Sequence, residues 1–255
     1  MTYTQKAEQS ASLTMESTLS HSPAYAVLRL LLLAVCIVGL LLSSYVGIVA
    51  YHSEDPVQAA EDAFYATGEH SRNHLDKVQE RLQTHSSLLP DYAALRLSLA
   101  RLYLVRSADA AEADSARPDF LSAAQLQLHS ARQLQPSHYE AIGLTAWLEA
   151  QQGRTLNERL PLLRMALHNG DLEKSNQWLL GPLIVRDWKE LPADVKALSG
   201  PLIKSMLSEQ KSRQRLLDAM YDSRLFLPFT RFSPNRETSY TLRTLHAIYV
   251  SPRLP

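Results

Sequence analysis

Apolar residues along this chain form one unbroken block and then a series of short periodic stretches. From Leu30 to Tyr51 there are 22 consecutive uncharged, mostly apolar residues, LLLLAVCIVGLLLSSYVGIVAY. As a helix this block is about 33 Å long, enough to cross a hydrocarbon core of about 30 Å. A cleavable signal has a shorter apolar region and small residues before the cut, whereas Ile48 stands two positions before the nearest cut site, after Ala50. The pattern therefore predicts an uncleaved single-pass anchor over 30–51. Lys6 and Arg29 precede it, Glu54, Asp55, Glu61 and Asp62 follow, and the first basic residue beyond it is Arg72. The positive-inside rule then puts a tail, residues 1–29, in the cytoplasm and the main domain outside the inner (plasma) membrane, in the periplasm of a bacterium. Residues 1–23, rich in Ser, Thr, Gln and Glu, read as disordered.

Beyond the anchor the spacing of apolar positions is helical throughout. Asp55-Pro56 predicts a helix start, followed by Val57, Ala60, Phe64 and Tyr65. Leu75, Val78 and Leu82 mark a second helix, and Asp91 opens a third with Leu95, Leu99, Leu102 and Tyr103 on one face. The small, acidic stretch 107–118 reads as a loop. Helices follow over 120–135 and 139–152, ended by Pro136 and Gly153, and over 160–168, ended at Asn169-Gly170. Further patterns cover 173–180, 192–198 and 201–221, with Gly181-Pro182 and Gly200-Pro201 as breaks. Residues 240–250 fit a strand or a last helix equally well. The class is all-α, with a helical repeat-like domain over 52–210 and a basic C-terminal segment over 211–255.

Two resemblances refine this. Ala124, Leu128, Ala131 and Pro136 follow A-x3-L-x2-A-x4-P, which resembles the second helix of a tetratricopeptide repeat. Leu99, Ala100 and Tyr103 sit where the first helix of such a repeat carries its Leu, small residue and Tyr. Ile142, Ala146 and Gly153, then Leu163 and Ala166, give a more degenerate second unit. Helices paired without repeat ancestry would give similar spacing. The layout is also similar to the VpsP family, associated with bacterial exopolysaccharide biosynthesis. That similarity runs over roughly 30–207, on Ala131, Leu134 and Pro136, Ala166 and Leu167, Trp178, Trp188 and Leu191, and the helix 201–207. The two Gly-Pro pairs depart from the more continuous helices of that family. The resemblance implies an accessory envelope protein and brings no catalytic residues with it.

Chemical motifs are sparse. A single Cys, Cys36 inside the anchor, excludes an internal disulfide and any multi-Cys metal site. His70 and His74 share a helix face at i and i+4, but the Glu of H-E-x-x-H is missing. There is no G-x-S-x-G elbow, no Walker loop and no G-x-G-x-x-G. No catalytic residue, metal or cofactor is expected. Trp147, Trp178 and Trp188 lie among Leu and Ala and read as core residues, with a sugar-stacking platform as the alternative for one of them. In the anchor Gly39, Ser43 and Gly47 recur every four residues, a spacing that lets a second membrane helix approach closely.

Net charge is zero, with 26 basic and 26 acidic residues, which argues against a nucleic-acid partner. The balance conceals a gradient. Residues 51–122 hold 7 basic and 12 acidic residues, and residues 196–255 hold 10 and 4. Arg213, Arg215, Arg224 and Arg231, with Arg236, Arg243 and Arg253, could meet an anionic polysaccharide, lipid headgroups or an acidic partner; they could equally fold back on the acidic helices. The reading that unites these features is a membrane-anchored scaffold for another envelope protein, in polysaccharide synthesis or export. A glycan-binding module is the alternative, and a metal-dependent envelope enzyme using His70 and His74 is a more distant one.

Overall fold

The helical periodicity is realised as eleven α-helices and one 3-10 turn, with no strand, among the described residues. The computed structural model describes residues 23–65, 71–110 and 116–250. The helices are α1 (Pro23–Tyr65), α2 (Arg72–Leu88), α3 (Ala93–Asp109), α4 (Ala116–Leu134), α5 (Tyr139–Gln151) and α6 (Leu156–Gly170). They continue with α7 (Lys174–Asp187), α8 (Ala193–Leu198), α9 (Gly200–Ser208), α10 (Gln210–Ser223), the 3-10 turn Leu227–Phe232 and α11 (Arg236–Tyr249). Contacts divide the chain into residues 1–54 and 55–255.

The first unit is dominated by α1, which is long and apolar enough to cross a membrane. Helix begins at Pro23, so residues 23–29 belong to it and not to the expected tail; residues 1–22 lie outside the described residues. Gly39, Ser43 and Gly47 are exposed, and a Cβ on either glycine would meet no atom within 4 Å. Cys36 is a free, exposed thiol on the same helix. Asp55-Pro56 is not a helix start, because α1 runs through it to Tyr65. Proline inside a helix removes one N–H and crowds the preceding turn, and here one such residue leaves the helix intact.

In the second unit α3 is the central helix. Its apolar spacing predicts one buried face, but it is buried nearly all round. On one side Leu95, Leu99, Leu102 and Val105 pack with Ala60, Leu75, Val78 and Leu82 from the end of α1 and from α2. On the other, Leu97, Ala100 and Leu104 join Ala124, Leu128 and Ala131 of α4 and the larger core beyond. Tyr103 sits half-buried between the two clusters, its hydroxyl accepting from Gln83 Nε2 at 3.1 Å. Pro136 is exposed, two residues past the end of α4.

Helices α3 and α4, then α5 and α6, pair most closely, and α7 pairs with α10 across the short α8 and α9. Helix α6 starts at Leu156, four residues earlier than its apolar spacing suggests. Thr155 and Glu158 form a reciprocal capping box there, a T-x-x-E signal readable in the sequence. Gly153 takes φ +76° at the turn before it. The basic segment is not a separate appendage: Leu216, Met220, Phe226, Phe229 and Leu242 all enter the main core. Residues 236–249 are helical, which resolves the strand-or-helix ambiguity.

Gly200-Pro201 stands at the expected break, where one helix ends at Leu198 and the next begins, whereas Gly181-Pro182 breaks nothing. Gly181-Pro182 lies inside α7, and Gly200-Pro201 forms the first turn of α9. Gly181 lets Met206 of α9 and Leu216 of α10 come against α7, where a Cβ would collide with the Met206 sulfur. Asn176 ties the next layer together. Its Nδ2 donates to the carbonyls of Ala166 at 3.2 Å and Gly170 at 3.0 Å, while its Oδ1 rests against Gly143 of α5.

Because Asn176 is held by two hydrogen bonds, it cannot swing away from an added methyl. Gly143→Ala is expected to destabilise the domain by about 2 kcal/mol through overpacking, even after the gain in helix propensity. Gly39→Ala, with open space around it, is expected to leave thermal unfolding of the domain unchanged. Circular dichroism melts of the two variants check this, and equal melting temperatures would contradict the packing described.

Candidate binding cleft

One wall of the cleft, Tyr65, is held by a buried carboxylate. His138 caps α5, its Nδ1 accepting from the Ala141 N–H at 3.4 Å, and Glu140 stands in the first turn, where negative charge is favoured. Glu140 is 5% exposed, as is Arg101 of α3. Glu140 Oε1 accepts from Arg101 Nε at 2.9 Å and from the Tyr65 hydroxyl at 2.9 Å. Arg101 Nη1 reaches Glu61 Oε2 at 3.4 Å. The end of α1, α3 and α5 are thus joined through one oxygen. Burial works most strongly on the Arg101 charge and against it, but Glu140, Tyr65 and Glu61 together outweigh it and raise the guanidinium above its ordinary pKa.

Tyr65, placed by that bond, meets the edge of Trp178 at 5.7 Å between ring centroids and 89° between planes. Phe64 meets Trp147 at 6.4 Å and 83°. These four rings, with Asp109 and Arg215, line a cleft of about 220 Å³. Trp147 also lines a neighbouring cleft of about 270 Å³ with Pro182, Arg186, Asp222 and Ser223. A third groove, between α4 and α5, has about 430 Å³ and is lined by Ser122, Gln125, Leu126, His129, Arg132, Thr145 and Glu149. Desolvation there raises the Glu149 carboxyl above its usual range.

Arg215 is positioned by a defect in α7. Pro182 has no N–H to offer the carbonyl of Trp178, four residues before it. Arg215 Nε donates to that carbonyl instead, at 3.1 Å, and its guanidinium lies over the Trp178 ring at 4.8 Å. Desolvation lowers the Arg215 pKa from its ordinary value, yet arginine keeps its charge at any physiological pH.

The four arginines singled out in the sequence differ in their surroundings. Arg215 lies on Trp178, and Arg231 lies over Trp188 at 5.4 Å and Phe232 at 4.5 Å. Arg224 ends α10 in the left-handed region, φ 52°. Arg213 is half-buried, its Nε without an acceptor. Among the described residues none of them pairs with the acidic residues of 51–122; Arg253 lies outside those residues. Of the tryptophans, Trp188 is core, tilted at 57° against Phe229 with 4.7 Å between ring centroids, whereas Trp147 and Trp178 are half-buried cleft walls. His70 lies outside the described residues and His74 is exposed. No group of three His, Cys, Asp or Glu side chains suited to a metal occurs among the described residues.

Leaving one member of a buried ion pair unpartnered costs about 3–5 kcal/mol, whereas replacing both by apolar residues is often neutral. Arg101→Met and Glu140→Leu are each expected to lose stability on that scale in urea unfolding, and the double variant to recover most of it. Additive losses would show that the two residues act independently.

Set against known proteins, the chain matches no family model, no curated protein and no solved structure.

Proposed function

We propose that this chain is a membrane-anchored helical scaffold of the bacterial cell envelope, which acts by binding another envelope protein and not by catalysis. One observation carries the reading: a helix long and apolar enough to cross a membrane shares its chain with a series of paired helices that present an open groove. Paired short helices bury their apolar faces against neighbours and leave extended surfaces for partners. The small residues Ala100, Ala124 and Ala131 lie in one cluster between α3 and α4, which supports a tetratricopeptide-like pairing there. The charges flanking the anchor support a cytoplasmic N-terminus and a periplasmic domain. The VpsP-like layout favours a place in polysaccharide synthesis or export.

The partner surface is the face between Asp91 and Ala166, centred on the α4–α5 groove. Leu126 stands there 62% exposed, an apolar side chain among Gln125, His129, Arg132 and Glu149. An exposed apolar side chain ringed by polar groups is the arrangement of an interface centre and its rim.

A photo-crosslinking residue at position 126 of the full chain in membranes is expected to capture a discrete envelope protein. The same residue at Lys204, exposed on α9, is expected to capture none. Leu126→Glu should cut recovery of that partner at least tenfold while leaving the melting temperature unchanged. Identical adducts at both positions, or none at 126, would count against this surface.

A further inference from the structure

Arg215 carries hydrogen-bonding capacity that helix packing does not use. Its Nε is satisfied by the Trp178 carbonyl at 3.1 Å, but its two terminal amino groups meet no acceptor among the described residues. A guanidinium fixed at one edge by a backbone carbonyl and at one face by an indole is held in place. Its free edge is the fork that matches a carboxylate. Asp109 lines the same cleft and would accept hydrogen bonds from hydroxyl groups. Across Trp147 the second cleft is likewise lined by one guanidinium and one carboxylate, Arg186 and Asp222, with the Arg186 Nε donating to Asp187 at 3.0 Å.

The clefts measure about 220 and 270 Å³, each below the roughly 300 Å³ at which pockets for drug-sized ligands begin. Each therefore suits one ring-sized unit. A sugar ring has an apolar C–H face for an aromatic wall and hydroxyl donors around its edge. A uronic acid adds a carboxylate to the same ring. An acidic peptide side chain would satisfy Arg215 but brings no hydroxyl donors to Asp109 or Asp222.

We propose that the two clefts flanking Trp147 are consecutive subsites for an acidic oligosaccharide, with a uronic acid carboxylate on Arg215 and the next sugar passing over Trp147 towards Arg186. This site is separate from the α4–α5 groove, so it does not depend on the protein partner proposed above, and Leu126→Glu is expected to leave glycan binding intact.

The test is titration of the full chain in detergent micelles, followed by tryptophan fluorescence and calorimetry. Tetragalacturonate is expected to bind saturably with a fluorescence change, maltotetraose at least tenfold more weakly, and the acidic interaction to weaken with added salt. Arg215→Gln and Trp147→Phe should each lower tetragalacturonate affinity at least tenfold, and Arg236→Gln, at an exposed position on α11, should not. No binding of tetragalacturonate, equal binding of maltotetraose, or full affinity in Arg215→Gln would overturn the proposal. Tighter binding of an acidic tetrapeptide would reassign the cleft to a peptide. If Arg215→Gln proves unfolded by circular dichroism, Arg186→Gln carries the same test: a tenfold loss supports the second subsite and an unchanged affinity refutes it.

Discussion

The arrangement of the second unit depends on what happens to one buried carboxylate. Glu140 is withdrawn from water at the start of α5, and a charge in that position is tolerated only when paired and hydrogen-bonded. Its partners come from two other helices: Arg101 from the centre of α3 and Tyr65 from the end of α1. Each polar group in this set relieves the desolvation of another, so none can leave without exposing the rest to a cost of several kcal/mol. The last turn of α1 is held by Ala60 and Ala63 in the core, by Phe64 and Tyr65 against Trp147 and Trp178, and by the Tyr65 hydroxyl as its polar anchor.

The cleft inherits that constraint. Tyr65 is fixed by its hydroxyl, its ring stands edge-on to Trp178, and Trp178 in turn supports Arg215 from below. Pro182 completes the set by freeing the carbonyl that Arg215 binds. A proline in mid-helix normally leaves an unpaired acceptor, and here a side chain from α10 occupies it. The consequence is a guanidinium oriented before any ligand arrives, which reduces the ordering a ligand must bring about on binding.

Much of the helical layout was legible in the sequence because it is local. Apolar spacing located nine of the helical stretches, and Pro136 and Gly153 stopped helices where their backbone chemistry requires. Gly181-Pro182 misled for a physical reason: a proline breaks a helix only if nothing compensates for the lost hydrogen bond, and the compensation comes from Arg215, 33 positions away. The early start of α6 was readable in Thr155 and Glu158 and was missed by attention to apolar spacing alone. The Glu140–Arg101–Tyr65 set was not legible, since its members are 39 and 75 residues apart and only the fold brings them together. One trace of it exists, an arginine set among Leu97, Leu99, Leu102 and Leu104 on a helix with scarcely any polar face. Trp147 and Trp178 likewise looked like core residues because helical spacing cannot distinguish a buried ring from one that walls a cleft.

Hydrogen exchange of the full chain and of Glu140→Leu, resolved by segment, tests this dependence most directly. Losing the carboxylate should raise exchange at the amides of residues 57–65 and in the neighbouring half of α3, while α7, α9 and α10, held by Asn176, Met206 and Leu216, keep their protection. Protection of 57–65 that is unchanged in the variant would contradict the account, since the end of α1 would then be held by something other than the buried carboxylate.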